Sequence, residues 1–207
     1  MDPQWLAWAR RFQAIAQTGL TYAKEQYDTE RYQAVREIAA EMIAAGSTPP
    51  IDPGTLCDFF SRDTGYATPK VDVRAAVFRD DRILLVKERE DGFWTLPGGW
   101  ADVGDSPSVA AVRETKEESG YDVVARKLLA LLDRNLHGHP PIPWHAYKLF
   151  FLCELAGGEA AASYETLEVG FFAEDQLPPL SLTRVTPAEI AHLFEHHRHP
   201  ERPTSFD

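Results

Sequence analysis

The feature that most constrains this chain is a short helix carrying three carboxylates on one side. Ser106-Pro107 opens it, serine as N-cap and proline at the first helical position, and Gly120 stops it, so both boundaries are signalled. At 100° per residue, Glu114, Glu117 and Glu118 fall inside an arc of roughly 100°. Ala111, Val112 and Thr115 point the other way, toward an expected core. Like charges one turn apart destabilise a helix, so a helix that only had to pack gains nothing from such a face. A hard divalent cation changes that balance, because magnesium takes oxygen ligands, few of them from protein, and completes its shell with water and phosphate. The bland alternative is a solvated acidic face, common on exposed helices, and the residues upstream weigh against it.

Those residues are Leu96-Pro97-Gly98-Gly99-Trp100-Ala101-Asp102-Val103-Gly104-Asp105, with Arg113 standing directly before Glu114. Gly99, five spacers, Asp105, seven spacers and then Arg113-Glu114-Thr115-Lys116-Glu117-Glu118-Ser119-Gly120-Tyr121 resemble the Nudix box across twenty-three positions. That pattern reads Gly, five residues, Glu, seven residues, Arg-Glu, aliphatic, any, Glu-Glu, any, Gly, aliphatic. There are three departures. Asp105 stands for Glu, Thr115 for an aliphatic residue, and Tyr121 fills the last aliphatic place. None of them touches the acids expected to meet metal.

The resemblance implies Glu114 and Glu118 as principal metal ligands and Glu117 as a further ligand, direct or through water. The Gly98 carbonyl is implied as a backbone ligand. Gly99, Asp105 and Gly120 are implied as structural supports of the box, with Asp105 pairing to Arg113. Arg113 then orients Glu114 and Glu117, and the cation is Mg²⁺, with Mn²⁺ as substitute. For the general base the resemblance leaves a box glutamate or an acid in a later loop. Tyr164-Glu165-Thr166-Leu167-Glu168-Val169-Gly170-Phe171-Phe172 is similar to that later segment, with Glu168 the first choice and Glu165 the second; both read equally well as solvated loop acids.

The rest of the chain supplies a frame. Trp5, Trp8, Ala9, Phe12, Ile15, Ala16 and Leu20 make one apolar stripe on a first helix. Asp28 is the expected N-cap of a second, along which Tyr32, Val35, Ile38, Ala39, Met42 and Ile43 repeat the pattern up to Gly46. Ser47-Thr48-Pro49-Pro50 and Asp52-Pro53-Gly54 then break it. Two such stripes cannot bury each other completely, so they need the rest of the chain or a second subunit. From Lys70 the period becomes two: Val71, Val73, Ala75 and Val77, a turn at Arg79-Asp80-Asp81-Arg82, and Ile83 to Val86 read as a hairpin. Further strands are expected at 127–133, 146–154 and 168–173, and helical segments at 175–177 and 187–196. The fold expected is α+β, an α/β/α sandwich around a mixed sheet (67–207), preceded by a small all-α domain (1–66). A helical segment with Gly19-Leu20-Thr21-Tyr22 and Tyr27-Asp28, ahead of Val71-Asp72-Val73-Arg74, is similar to the Nudix subgroup with its own N-terminal helical domain. Members of that subgroup act as dimeric ADP-ribose or CDP-choline pyrophosphatases.

Charge limits the partners. With a net charge of −11, the 207-residue chain offers no basic stripe for nucleic acid, so phosphate must be neutralised locally. Arg74, Arg89 and Lys148 are the cations expected to meet substrate, each otherwise a surface cation. Trp94, Trp100, Trp144 and Tyr147 could stack a base, with Trp94 expected in the core. His137, His139 and His145 flank a proline-rich loop that suits a specificity loop better than zinc, and His196, His197 and His199 read as solvated. Cys57 and Cys153 read as two buried thiols rather than a bridge. No apolar run reaches the roughly 18 residues of a membrane span, and Met1 to Phe12 lacks a secretory pattern, so the expected compartment is the cytoplasm.

The expected chemistry is magnesium-dependent hydrolysis of a diphosphate linkage in a nucleoside diphosphate derivative, giving a nucleoside monophosphate and X-phosphate. The alternatives are a nucleoside triphosphate or RNA-end pyrophosphohydrolase, a non-catalytic nucleotide sensor, and an interaction module built on the N-terminal helices.

Overall fold

The computed structural model describes residues 3–207; Met1 and Asp2, the start of the expected helical domain, lie outside the described residues. The chain divides into two compact units. One runs to Pro69 and takes in Pro141–His145; the other comprises Lys70–Pro140 and Ala146–Asp207. The sequence reading put one boundary at 66/67 and kept the second domain continuous. The difference has a physical source, because Arg10 Nε donates to the Ile142 carbonyl at 2.9 Å and the Trp144 ring lies 5.4 Å from that of Phe59.

In the first unit, α1 (Gln4–Tyr22), α2 (Gln26–Gly46) and α3 (Pro53–Ser61) enclose Leu6, Ala9, Ala40, Ile43, Leu56 and Phe60. Close packing of α1 on α2 depends on Gly19, where an added Cβ would lie 2.3 Å from the Tyr32 ring. Two expectations change here. Helix α2 starts two residues before Asp28 and uses Glu25 as N-cap, leaving Asp28 in the first turn. The break at Asp52-Pro53-Gly54 is itself a helix start, since Asp52 Oδ2 accepts from Thr55 N at 2.8 Å with Pro53 at the first position. Trp8, Phe12 and Ile15 stay 42–53% exposed on α1.

The second unit is a mixed sheet between two helices. Its strands are β1 (Lys70–Arg79), β2 (Arg82–Glu88), β3 (Trp94–Thr95), β4 (Tyr121–Asp133), β5 (Ala146–Gly158), β6 (Thr166–Phe172) and β7 (Ser205–Phe206). The order is β3-β2-β1-β5-β4-β7, with β6 also on β2; β1 runs parallel to β5 and antiparallel to β2. Asp80 and Asp81, with φ of 51° and 55°, form the primed two-residue turn that suits a twisted hairpin. Alternation along β1 sorts the two cores. Val73, Ala75 and Val77 join Ala110 and Ala111 of α4 (Pro107–Ser119), while Ala76 joins Ile190, Leu193 and Phe194 of α5 (Pro187–Arg198). The architecture is the expected α+β sandwich. Strand β4 extends six residues earlier than its apolar run, because it pairs along β5 back to Tyr121.

On α5, His196 is buried at 2% exposure, contrary to the solvated reading, and its Nε2 meets Ser205 Oγ at 3.3 Å. His197 stacks on Phe78 with ring centroids 4.1 Å apart, whereas His199 is exposed. Cys57 is half-buried and Cys153 buried, both as free thiols.

Candidate active site

Helix α4 begins and ends as its sequence indicates. Ser106 Oγ accepts from Val109 N, and Gly120 closes the helix at φ 78°. A side chain at Gly120 would lie 2.4 Å from the Glu159 carbonyl, so glycine is required there twice over. Two unusual box residues are accommodated. Thr115 is fully buried and satisfies its hydroxyl on the Ala111 carbonyl at 2.7 Å. Tyr121 packs edge-on against Phe171.

The loop from Pro97 to Ala101 lies along β1 as an extra strand, through Ala75 N to Pro97 O (2.9 Å), Val73 N to Gly99 O (2.8 Å) and Ala101 N to Val71 O (2.9 Å). Gly98 has φ 134°, and a Cβ there would sit 2.0 Å from the Val73 carbonyl, so only glycine permits this approach. The Gly98 N–H donates to Glu118 Oε2 at 2.9 Å, and Gly99 borders Glu114, where a built Cβ falls 3.6 Å from Oε2. Loop and acidic helix are thereby joined.

Arg113 is the hub of the acids. It meets Asp105 (3.1 Å), Asp102 (3.0 Å), Glu114 (3.0 Å) and Glu117 (3.0 Å). The shorter Asp105 still reaches it, and that hydrogen bond is the main cause holding the Arg113 charge. Glu118 is 5% exposed. Burial pushes its carboxyl up to about 8, against Arg74 and the Gly98 N–H, with Glu88 and Glu114 adding to the rise. Burial raises Glu114 as well, opposed by Arg113 and reinforced by Glu117 and Glu165. Among the described residues, no three His, Cys, Asp or Glu side chains converge closely enough to grip a metal as they stand. The donor set nevertheless fits a hard divalent cation, being all oxygen, with a buried carboxylate whose charge the surrounding protein leaves undercompensated.

The two late acids separate. Glu168, on β6, accepts from Lys87 Nζ through its Oε1 at 2.6 Å and has a side chain 57% exposed. Glu165 lies where it raises both Glu114 and Glu88. Its segment is pinned to α4, because Thr166 Oγ1 donates to the Glu118 carbonyl at 2.8 Å. Glu88, 7% exposed and raised by burial, was not singled out in the sequence; its sole hint is a charged residue ending an apolar strand.

Of the three expected substrate cations, Arg89 is exposed and the other two are not. Arg74 and Lys148 are buried, both on Asp72. Arg89 donates Nε to the Tyr164 carbonyl at 2.8 Å and so secures the loop that carries Glu165. Trp94 lies in the core as expected, whereas Trp100 is 46% exposed. His139 is buried between the Leu182 carbonyl and Glu189, and His137 pairs with Asp207.

Comparison with known proteins agrees with this geometry. Residues 68–194 match the NUDIX domain model, and residues 3–53 match a UDP-X-like N-terminal oligomerisation domain. YjhB of Bacillus subtilis (strain 168), named as a candidate ADP-ribose pyrophosphatase, is 47% identical over all 207 residues and 99% of its own length. The crystal structure of an ADP-ribose pyrophosphatase from Streptococcus suis 89-1591 is 46% identical with TM-score 0.63, covering 68% of this chain and all of that one. A UDP-X diphosphatase structure is 33% identical with TM-score 0.64, covering 98% of each chain. With the box geometry intact and the whole length matched, this chain belongs to the Nudix family and is a Nudix pyrophosphatase.

Proposed function

We propose that this enzyme hydrolyses the diphosphate linkage of a nucleoside diphosphate joined to a small group, of the ADP-ribose, CDP-choline or UDP-X kind, releasing a nucleoside monophosphate and X-phosphate. The observation that carries the reading is the junction of Gly98 N–H with buried Glu118 beside Glu114. The substrate class follows the names of the relatives that match over both parts of the chain.

Glu114, Glu118 and the Gly98 carbonyl would hold Mg²⁺ or Mn²⁺, with Glu117 joining directly or through water. When bound, the cation supplies charge neutralisation for the diphosphate and activation of water. Arg113 holds Glu114 and Glu117 in place by its ion pairs. Of the two late acids we assign Glu165, rather than Glu168, to accept the proton of the attacking water, because its segment is tied to α4 through Thr166 and the Glu118 carbonyl while Glu168 is paired with Lys87. Arg89 positions that loop.

We further propose a homodimer formed through α1, whose exposed Trp8, Phe12 and Ile15 lie within the segment matching an oligomerisation domain. No helix among the described residues is long and apolar enough to cross a membrane. Two free thiols fit the cytoplasm. The test is a panel of ADP-ribose, CDP-choline, UDP-sugars and nucleoside triphosphates with Mg²⁺ or Mn²⁺, with products identified. Nucleoside monophosphate plus X-phosphate is expected; preferential release of pyrophosphate from triphosphates refutes the substrate class.

A further inference from the structure

Arg74 and Lys148 have the charge to meet a phosphate but are buried with their partners. On β1, Asp72 and Arg74 share the face opposite Val73, and Lys148 stands on β5 at the position registered with Asp72. Asp72 Oδ1 takes Arg74 Nε at 3.0 Å and Nη2 at 2.9 Å, and its Oδ2 takes Lys148 Nζ at 3.0 Å. Lys148 also donates to the Arg184 carbonyl and lies 4.0 Å from Glu189 Oε1. Glu189 receives His139 Nε2 at 2.9 Å and Thr186 N at 2.8 Å. At the other end, Arg74 Nη1 donates to the Leu96 carbonyl at 3.0 Å, two residues before Gly98.

A purely structural interior rarely gains from such a line, because desolvating the charges offsets much of their attraction and apolar residues of equal volume do as well. What the line adds is geometry. The guanidinium is a rigid planar fork, and here one edge is fixed on Asp72 while another nitrogen holds Leu96. The loop it holds runs directly into Gly98, pressed against β1 and donating to Glu118. Hydrophobic side chains could fill this space but could not set the height of a carbonyl.

We propose that the Asp72–Arg74 pair, backed by Lys148 and Glu189, is a positioning unit for catalysis, setting the Leu96–Gly98 segment so that Gly98 presents its N–H to Glu118 of α4. This rests on the assignment of Glu118 and Gly98 to the metal site. Arg74 acts through the loop and does not touch substrate.

The test uses the full chain with Arg74→Lys, which keeps the charge and removes the fork, and runs Glu118→Gln in parallel. Circular dichroism establishes folding, Mn²⁺ alone is titrated by electron paramagnetic resonance, the Gly98 amide proton is followed by NMR, and kcat and KM are measured separately. For folded Arg74→Lys, Mn²⁺ affinity and kcat should each fall by roughly 10- to 100-fold, as for groups that orient metal ligands. KM should move less than about threefold, and the Gly98 amide proton should shift upfield as its bond to Glu118 lengthens. Unchanged Mn²⁺ affinity, kcat and Gly98 shift in folded Arg74→Lys, with Glu118→Gln inactive and unable to bind Mn²⁺, overturn the positioning role alone. A loss confined to KM also overturns it, since Arg74 would then meet substrate. Normal Mn²⁺ binding by Glu118→Gln overturns the underlying site assignment. If Arg74→Lys does not fold, Asp72→Asn takes its place under the same criteria.

Discussion

Replacing Lys148 with methionine probes the buried charge cluster most directly. The side chain is 0% exposed and bonds Asp72 Oδ2, with Glu189 just beyond. Methionine fills similar space, so the loss is chiefly electrostatic. Breaking a buried ion pair from one side costs about 3–5 kcal/mol, because a desolvated charge is left behind. Here neither acid is abandoned. Asp72 keeps both Arg74 contacts, and Glu189 keeps His139 and the Thr186 N–H. The lower end, about 3 kcal/mol, is therefore expected, which for a chain of this size lowers Tm by roughly 6–12 °C.

The pH dependence follows from the acids. Burial pushes Asp72 and Glu189 upward, but the cations beside them win and hold both carboxyls below their ordinary 3.8 and 4.5. A carboxyl depressed in the folded state adds stability that is full above its unfolded pKa and is lost as pH falls through the folded one. In Lys148→Met both folded values rise. The deficit against wild type should therefore be greatest near neutrality and shrink as pH falls through the variant's raised folded-state values, because the two unfolded chains titrate alike. Urea denaturation of both proteins at pH 7 and pH 3.5 measures it. A deficit under about 1 kcal/mol, or one equal at the two pH values, would refute the claim that Lys148 compensates these acids.

Glu118→Gln is expected to abolish metal-dependent turnover while the circular dichroism spectrum stays native; retained turnover removes Glu118 from the site. Gly98→Ala must place a Cβ 2.0 Å from the Val73 carbonyl at φ 134°, so a loss of about 1–3 kcal/mol from backbone strain alone is predicted, together with loss of activity; a Tm within error of wild type would contradict it. Glu165→Gln should lower kcat by about 10²- to 10⁴-fold, whereas Glu168→Gln should leave kcat within about twofold because its partner is Lys87; the reverse order in steady-state kinetics would restore Glu168 as base. Ile15→Glu, on the exposed stripe of α1, should shift the species seen by light scattering toward monomer with the fold intact, and an unchanged mass places the interface elsewhere.

Several local patterns read correctly because neighbours in sequence are also neighbours in space, although the caps of α2 and α3 did not. The ends of α4, the β1–β2 hairpin, the Asp105–Arg113 pair and the orientation of Ala111 and Thr115 all follow from turns, caps and periods spanning a few residues. The start of α3 could have been read too, since Asp52-Pro53 carries both a cap and a first-position proline. Reading proline only as a breaker hid it.

Charged residues on strands were harder. An Arg on the polar side of an alternating strand reads as a surface cation, and nothing local tells which strand lies beside β1 or which of its faces α5 covers. Parallel pairing brought Lys148 beside Asp72 from seventy-six residues away, and Arg74, expected at the substrate, lies buried against the same aspartate. Glu165 and Glu168 differ in the same way, since pairing of β6 with β2 gives Glu168 to Lys87, while Glu165 stands on the segment that Thr166 Oγ1 ties to the Glu118 carbonyl.

The sequence by itself determined the acidic helix, its glycine-bounded loop, the family and the helical segment ahead of the catalytic unit, because each is encoded by spacing within one element or one turn. Only the tertiary structure decided which charges are buried, which late acid pairs with Lys87, and that the Gly98 N–H meets Glu118. Those depend on strand pairing across long separations, and whether a charged side chain meets water or a counter-ion is settled only when the sheet has closed over it.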